Sequence, residues 1–328
     1  MGRRKKAEPS ASSSADHEED MKPKNLSFIS LLQDEMSDYC TDVKVDTISR
    51  LIFVSTYTQS KVCVFNLDTK KFLYNIRTST YAYYLAVDRS ESNDHELPCI
   101  VCAIEEYNNH RVEKHALDTN SGRTVWTSDG IFKSPRGMYV HNGRKEVYAC
   151  DRDNDKIRVL SSQTGALLNS FDCKGPTDAF IFDNMLLVTS KSTNNVLFLS
   201  LNDGSKIRSI GASTGLTKMN YPRGLIVDPF NRNIIVGDSD NHRIQIWSWS
   251  GDHIETFGSR GKGNGQFDTP FGLALDVLNG EIYVSDCYNY RVQVLKYNCT
   301  LSKNEERFKR LLLHTKELSY DITFKLLE

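Results

Sequence analysis

The 328 residues carry 41 Lys and Arg against 42 Asp and Glu, a formal net charge of −1. That balance excludes a general electrostatic drive toward nucleic acid or membrane surfaces. A hydrophobic content of 39%, with 15 Tyr and 15 Phe, suffices for a large packed core; no apolar run approaches the roughly 20 residues of a membrane-spanning helix, and no apolar signal region opens the chain. These features predict a soluble cytoplasmic protein with no membrane association.

In chain order, residues 1–24 read as a disordered tail: Arg3-Arg4-Lys5-Lys6, a Ser-rich stretch and an acidic run, with nothing apolar to anchor them. The basic cluster offers nuclear localisation as an alternative address. Residues 26–32 (Leu-Ser-Phe-Ile-Ser-Leu-Leu) read as a strand without a partner of its own. From residue 41 a repeat runs to residue 298. Its clearest copies are Tyr221-Pro222-Arg223-Gly224, Asp228, Asp238, Asn241, Arg243, Gln245 and Thr269-Pro270-Phe271-Gly272, Asp276, Asp286, Asn289, Arg291, Gln293, offset by 48 from glycine to glutamine. Ser134-Pro135-Arg136-Gly137 and Asp151 give a third copy with the same Gly-to-Asp spacing of 14. Aligned on Arg243, the units fall at Lys61, Arg111, Lys156, Asn195, Arg243 and Arg291, so there are six. A period of 40–50 residues, filled with short apolar runs between turns, marks a β-propeller blade.

Unit six lacks a fourth strand, so residues 26–32 are expected to supply it and close the ring, leaving no exposed edge. The predicted fold is all-β: a six-bladed β-propeller over residues 25–298, closed by an N-terminal strand. Residues 299–328 follow as a short C-terminal helical extension, with apolar residues at helical spacing around Phe308 and Leu311. Eight cysteines lie in or beside predicted strands. Cys99 and Cys102 form the one CxxC pair, but in an apolar strand where residues three apart face opposite ways, so reduced structural thiols are expected.

The repeated residues quoted above resemble the NHL repeat, a six-bladed propeller module. The likeness spans residues 26–298, strongly in units three, five and six and in outline elsewhere. It implies a recognition role, because NHL propellers stand at the end of tripartite-motif ubiquitin ligases, where they recognise substrates or RNA. This sequence shows no RING, B-box or coiled coil, so a ligase role would draw those parts from elsewhere. The resemblance also admits a metal-dependent lyase or a lactonase-like enzyme, both less favoured. The aligned histidines, His110 and His242, belong to opposite blades, too far apart to share a metal with bonds of about 2 Å. Innermost strands such as 225–227 and 273–275 are apolar where a lactonase-like cation site needs carboxylates. No catalytic, cofactor or metal constellation is expected.

Propeller topology gathers the second-strand turns and the blade-entry loops on one face. The repeated Asp and Arg are expected to tie the turns together. Entry loops 130–136 and 213–223 each carry +2, loop 258–272 carries +1 and loop 33–42 carries −4, predicting a face basic over blades three, five and six and acidic at blade one. Arg136, Lys218, Tyr221, Arg223, His242, Arg260, Lys262, Phe271, Tyr288 and Tyr290 are the candidate ligand-binding residues. Aromatic anchors beside cations suit a protein or peptide ligand; stacking of single-stranded RNA bases is the alternative. A monomeric propeller is expected.

Overall fold

The computed structural model describes residues 25–32, 36, 38–91, 97–117 and 122–298. The expected tail and C-terminal helix therefore lie outside the described residues. Those described form six four-stranded antiparallel sheets. Blade one comprises β2 (Cys40–Asp46), β3 (Leu51–Thr56), β4 (Lys61–Asn66) and β5 (Phe72–Arg77). Blade two comprises β6 (Ala82–Asp88), β7 (Cys99–Ile104), β8 (Arg111–Ala116) and β9 (Arg123–Thr127). Blade three is β10 (Pro135–His141), β11 (Glu146–Asp151), β12 (Lys156–Ser161) and β13 (Leu167–Asp172). Blade four is β14 (Pro176–Phe182), β15 (Met185–Ser190), β16 (Asn195–Ser200) and β17 (Lys206–Ile210). Blade five is β18 (Pro222–Val227), β19 (Ile234–Asp238), β20 (Arg243–Trp247) and β21 (His253–Phe257).

Blade six takes three strands from the end of the repeat, β22 (Pro270–Asp276), β23 (Glu281–Asp286) and β24 (Arg291–Tyr297), and its outer strand from β1 (Leu26–Leu32). The β1–β24 ladder runs antiparallel from Leu26 opposite Tyr297 to Leu32 opposite Val292. The expected closure is the observed one. Each residue used to align the units, from Lys61 to Arg291, is the first residue of a third strand.

Side chains alternate between the two faces of a strand, and in a propeller both faces meet a neighbouring blade. Along β11, Val147 and Ala149 pack toward blade two, whereas Tyr148 and Cys150 pack toward blade four. This explains the near-continuous apolar runs of the second and third strands, where each fully buried Val, Leu or Ile stabilises by roughly 1.5–3 kcal/mol. Cys99 and Cys102 obey the same alternation: Cys102 is buried against blade one, Cys99 is half-exposed, and both are free thiols. The innermost strands form a ring in which β2 touches both β6 and β22.

Candidate functional site

In units three, five and six the repeated Asp is a buried acceptor hub. Asp238 accepts the Asn220 amide at 2.6 Å, Arg243 Nε at 2.7 Å and Gln245 Nε2 at 2.7 Å. Asp286 repeats this with the Asp268 amide, Arg291 and Gln293. Asp151 takes the Lys133 amide, Asn154 and Arg158. The guanidinium then donates to loop carbonyls: Arg243 to Lys218, Arg291 to Lys262, Gly263 and Gln266. Each hub therefore clamps the loop that enters its own blade. A full set of charge-assisted bonds makes a buried carboxylate tolerable, and the entry face becomes rigid.

A second device links successive blades. The turn residues Asp155, Asn194 and His242 sit in the left-handed region. Their side chains accept the amides of Gly175 (2.7 Å), Tyr221 (2.8 Å) and Thr269 (3.1 Å), which precede Pro176, Pro222 and Pro270 and also have positive φ. His242 Nδ1 is thus occupied in holding blade six's entry. At the blade six–blade one seam the turn residue is Tyr290, whose ring lies 5.0 Å from that of Tyr39.

One residue into each first strand stand Thr41, Tyr83, Arg136, Thr177, Arg223 and Phe271. Four of these meet across the axis. Arg136 lies 4.3 Å over Tyr83, Tyr83 is 6.0 Å from Phe271, and Arg223 lies 3.7 Å over Phe271. This Arg–aromatic plug fills the entry end of the channel. Arg136, expected on the rim, is 6% exposed and ion-paired with Glu105 at 3.0 Å; Phe271 is likewise internal, 3% exposed.

Around the plug the face divides in two. Over blades three to five, Arg223 lies 4.2 Å over Tyr221, whose hydroxyl accepts Arg152 Nη1 at 3.2 Å, and Lys191 Nζ stands 5.9 Å from the ring. Burial pushes the Tyr221 phenol up, but Arg223, Arg152, Lys191 and Arg136 together hold it below its ordinary value. Arg223 Nη1 is buried with no hydrogen-bond partner among the described residues. Asp153 partly neutralises the arc; its bond to Arg152 lowers its carboxyl to about 2. Over blades six, one and two the face is aromatic. Tyr39 packs edge-on to Tyr288 at 5.4 Å, and Tyr57 contacts Tyr81 and Tyr83 at 5.4 and 5.2 Å. Tyr288 and Tyr290 are 49% and 43% exposed.

The ten candidates therefore separate into three groups. Arg136, Tyr221, Arg223 and Phe271 meet in or beside the plug, Tyr288 and Tyr290 join Tyr39, and exposed Lys218, Arg260 and Lys262 lie farther out with half-buried His242. The expected charge layout is corrected in one place. Blade four joins the basic arc through Lys191. At blade one's entry, two of the four expected acidic residues, Asp34 and Glu35, lie outside the described residues. Its Asp38 is buried, accepting the amides of Tyr39 and Gln59, and Asp42 turns inward. Sequence reasoning missed Tyr39, Tyr57, Tyr83, Arg152 and Lys191. A signal existed for Tyr83, which aligns with Arg136, Arg223 and Phe271.

The opposite end of the channel is open. A cavity of about 660 Å³ reaches the loops after the first strands at Thr47, Asn142 and Asn279, and is walled by residues such as Met138, Val140, Ile226 and Leu275. Strands 225–227 and 273–275 are apolar as expected, but the cavity wall also carries Lys44 and Asp178, with Asp42 paired to Lys44. Asp42 Oδ2 accepts the Leu85 amide at 2.9 Å and Asp178 Oδ2 the Leu225 amide at 3.0 Å. Both occupy the repeat's glycine position in opposite blades. A Cβ on Gly272 would stand 1.9 Å from Asp42 Oδ1, and one on Gly137 2.0 Å from Asp178 Oδ1, so these glycines make room for the carboxylates. Among the described residues no three His, Cys, Asp or Glu side chains are grouped to hold a metal ion, and no helix is long and apolar enough to cross a membrane.

Comparison with known proteins agrees with this geometry. The NHL repeat model matches residues 219–247 and 267–295, the clamped cores of blades five and six. A Bacteroides thetaiotaomicron structural genomics protein of unknown function superposes with a TM-score of 0.63 at 13% identity, over 83% of this chain and 75% of that one. Kuenenia stuttgartiensis hydrazine synthase superposes with a TM-score of 0.58 at 10% identity, over 80% of this chain and 96% of that one. No curated protein matches the chain. Likeness at such identities concerns the fold alone. The repeated sequence, the hubs it builds and the ring of six sheets make this chain a six-bladed β-propeller with NHL repeats in blades five and six.

Proposed function

We propose that the propeller is a non-catalytic recognition platform whose entry face takes a protein or peptide segment. One observation supports this most: a basic arc and an exposed aromatic cluster flank the same rigid plug. Lys191 and Arg152 offer positive charge to a carboxylate or phosphate. Tyr39, Tyr288 and Tyr290 offer a large amphipathic surface on the other side, the composition typical of binding hot spots. An acidic segment carrying an apolar residue would engage both at once.

Single-stranded RNA is the second reading, favoured by the exposure of Tyr288 and Tyr290, whose rings suit base stacking. A substrate-recognition part in ubiquitin ligation follows from the family resemblance alone. Capture of partners from cytosolic extract, with and without RNase, separates the two ligand classes. Charge reversal at Arg152 and Lys191, and separately Tyr288→Ala, should each weaken capture while leaving the melting temperature unchanged. Capture that survives both changes places the ligand elsewhere, and capture lost to RNase favours RNA.

A further inference from the structure

The channel has a second end that the entry-face ligand does not use. At about 660 Å³ the cavity falls within the roughly 300–1,000 Å³ of small-molecule sites, and mostly apolar walls with a few convergent polar groups are the usual makeup of such sites. At its mouth the charges cancel in pairs, Arg89 with Asp46 at 2.5 Å and Arg50 with Asp68 at 2.5 Å. The inner end does not balance. Lys44 Nζ is committed to Asp42 at 2.8 Å, and the carboxylate of Asp178, 1% exposed, has two backbone amides but no ion pair of its own among the described residues. One ammonium thus faces two carboxylates in an apolar enclosure, where unbalanced charge is costly.

We propose that this cavity binds a small organic cation, an ammonium on an apolar body, with the ammonium set against Asp178 and the body along the Met138–Leu275 walls. The ligand supplies the missing positive charge and removes the walls from water. Neither term requires a conformational change, because the carboxylate is already fixed by the Ala179 and Leu225 amides at 2.9 and 3.0 Å. An anion of the same shape would add a third negative charge, and a neutral analogue would gain only the apolar contact.

The groups facing Asp178 fix the expected pH dependence. Burial raises Asp178 to about 7, with Lys44 pulling down and Asp42 pushing up. Against burial, Asp42 and Asp178 hold Lys44 charged, while burial keeps the Tyr84 phenol and Cys150 thiol neutral. Asp42, raised by burial against the pull of Lys44, is the remaining titrating neighbour. Cation binding should therefore strengthen as pH rises through neutrality.

The test uses the full chain and three probes of matched shape: 4-phenylbutylammonium, 4-phenylbutanol and 4-phenylbutanoate, measured by calorimetry. The ammonium should bind at least about tenfold more tightly than the alcohol, a difference of about 1.4 kcal/mol, with the carboxylate weakest. Its advantage over the alcohol should grow between about pH 5.5 and pH 8. Asp178→Asn should abolish that advantage. If the variant fails to fold, the pH series on the unaltered protein decides the same point. Absence of binding by all three probes, equal affinity for ammonium and carboxylate, or a flat pH series would each overturn the assignment.

Discussion

Deleting residues 1–32 should destabilise the entire ring, whereas deleting residues 1–24 should leave its stability unchanged. The difference is β1. Leu26 and Leu32 are each 1% exposed and belong to different cores, Leu26 to that around blades five and six and Leu32 to that between blades six and one. At about 2 kcal/mol for each fully buried leucine, their loss costs about 4 kcal/mol. The ladder from Leu26–Tyr297 to Leu32–Val292 also disappears, at about 1 kcal/mol net for each hydrogen bond. Together these approach the 5–15 kcal/mol by which whole domains are stable. Urea titration and thermal melting of both truncations measure the difference. A synthetic peptide covering residues 25–32, added in trans, should restore part of it. Equal melting of the two truncations would refute closure by β1.

Three further outcomes follow from the geometry. Asp238→Ala strands the donors of Asn241, Arg243 and Gln245 and should cost about 3–5 kcal/mol in chemical denaturation; exposed Asp240→Ala, two residues on, should cost nothing measurable. Gly272→Ala places its Cβ 1.9 Å from Asp42 Oδ1 and 2.7 Å from Asp42 Cα, so it should lower stability by at least about 1–3 kcal/mol. Gly130→Ala, with nothing within 4 Å, is its control. For Asp178, raised from 3.8 to about 7 by burial, the folded state holds the proton longer than the unfolded chain. The associated stability is fully present below about pH 4 and is lost as pH rises through about 7. Melting temperatures measured from about pH 5 to pH 8 should fall in the native protein and fall less in Asp178→Asn.

The fold was legible because a blade repeats its hydrogen-bond hub. Asp238, Arg243 and Gln245 recur at a fixed offset as Asp286, Arg291 and Gln293, since the same entry loop must be clamped the same way. Blades one, two and four have lost that hub, and only their strand rhythm located them. The site was harder to read for a related reason. Arg136 and Phe271 stand in entry loops and read as rim residues, but side-chain direction depends on neighbours from other blades, and stacking with Tyr83 and Arg223 turns them into the channel. His242 read as a ligand residue although its ring nitrogen is engaged by the Thr269 amide across a blade boundary, a contact without a sequence pattern of its own. Asp178 escaped notice, and Asp42 was counted with the acidic entry loop, because both replace glycine in the weak copies. The glycine that accommodates each lies in the preceding blade, Gly272 for Asp42 and Gly137 for Asp178.

Site-specific photo-crosslinking addresses the recognition role most directly. A benzophenone side chain placed at Tyr288, 49% exposed on the entry face, is compared with one at Asn142, at the opposite channel mouth, and one at Leu168, 56% exposed on an outer strand. The expected result is a protein adduct from position 288 that persists after RNase treatment and is absent from the other two positions. Adducts formed equally at all three, or only at 142 or 168, would contradict recognition through the entry face.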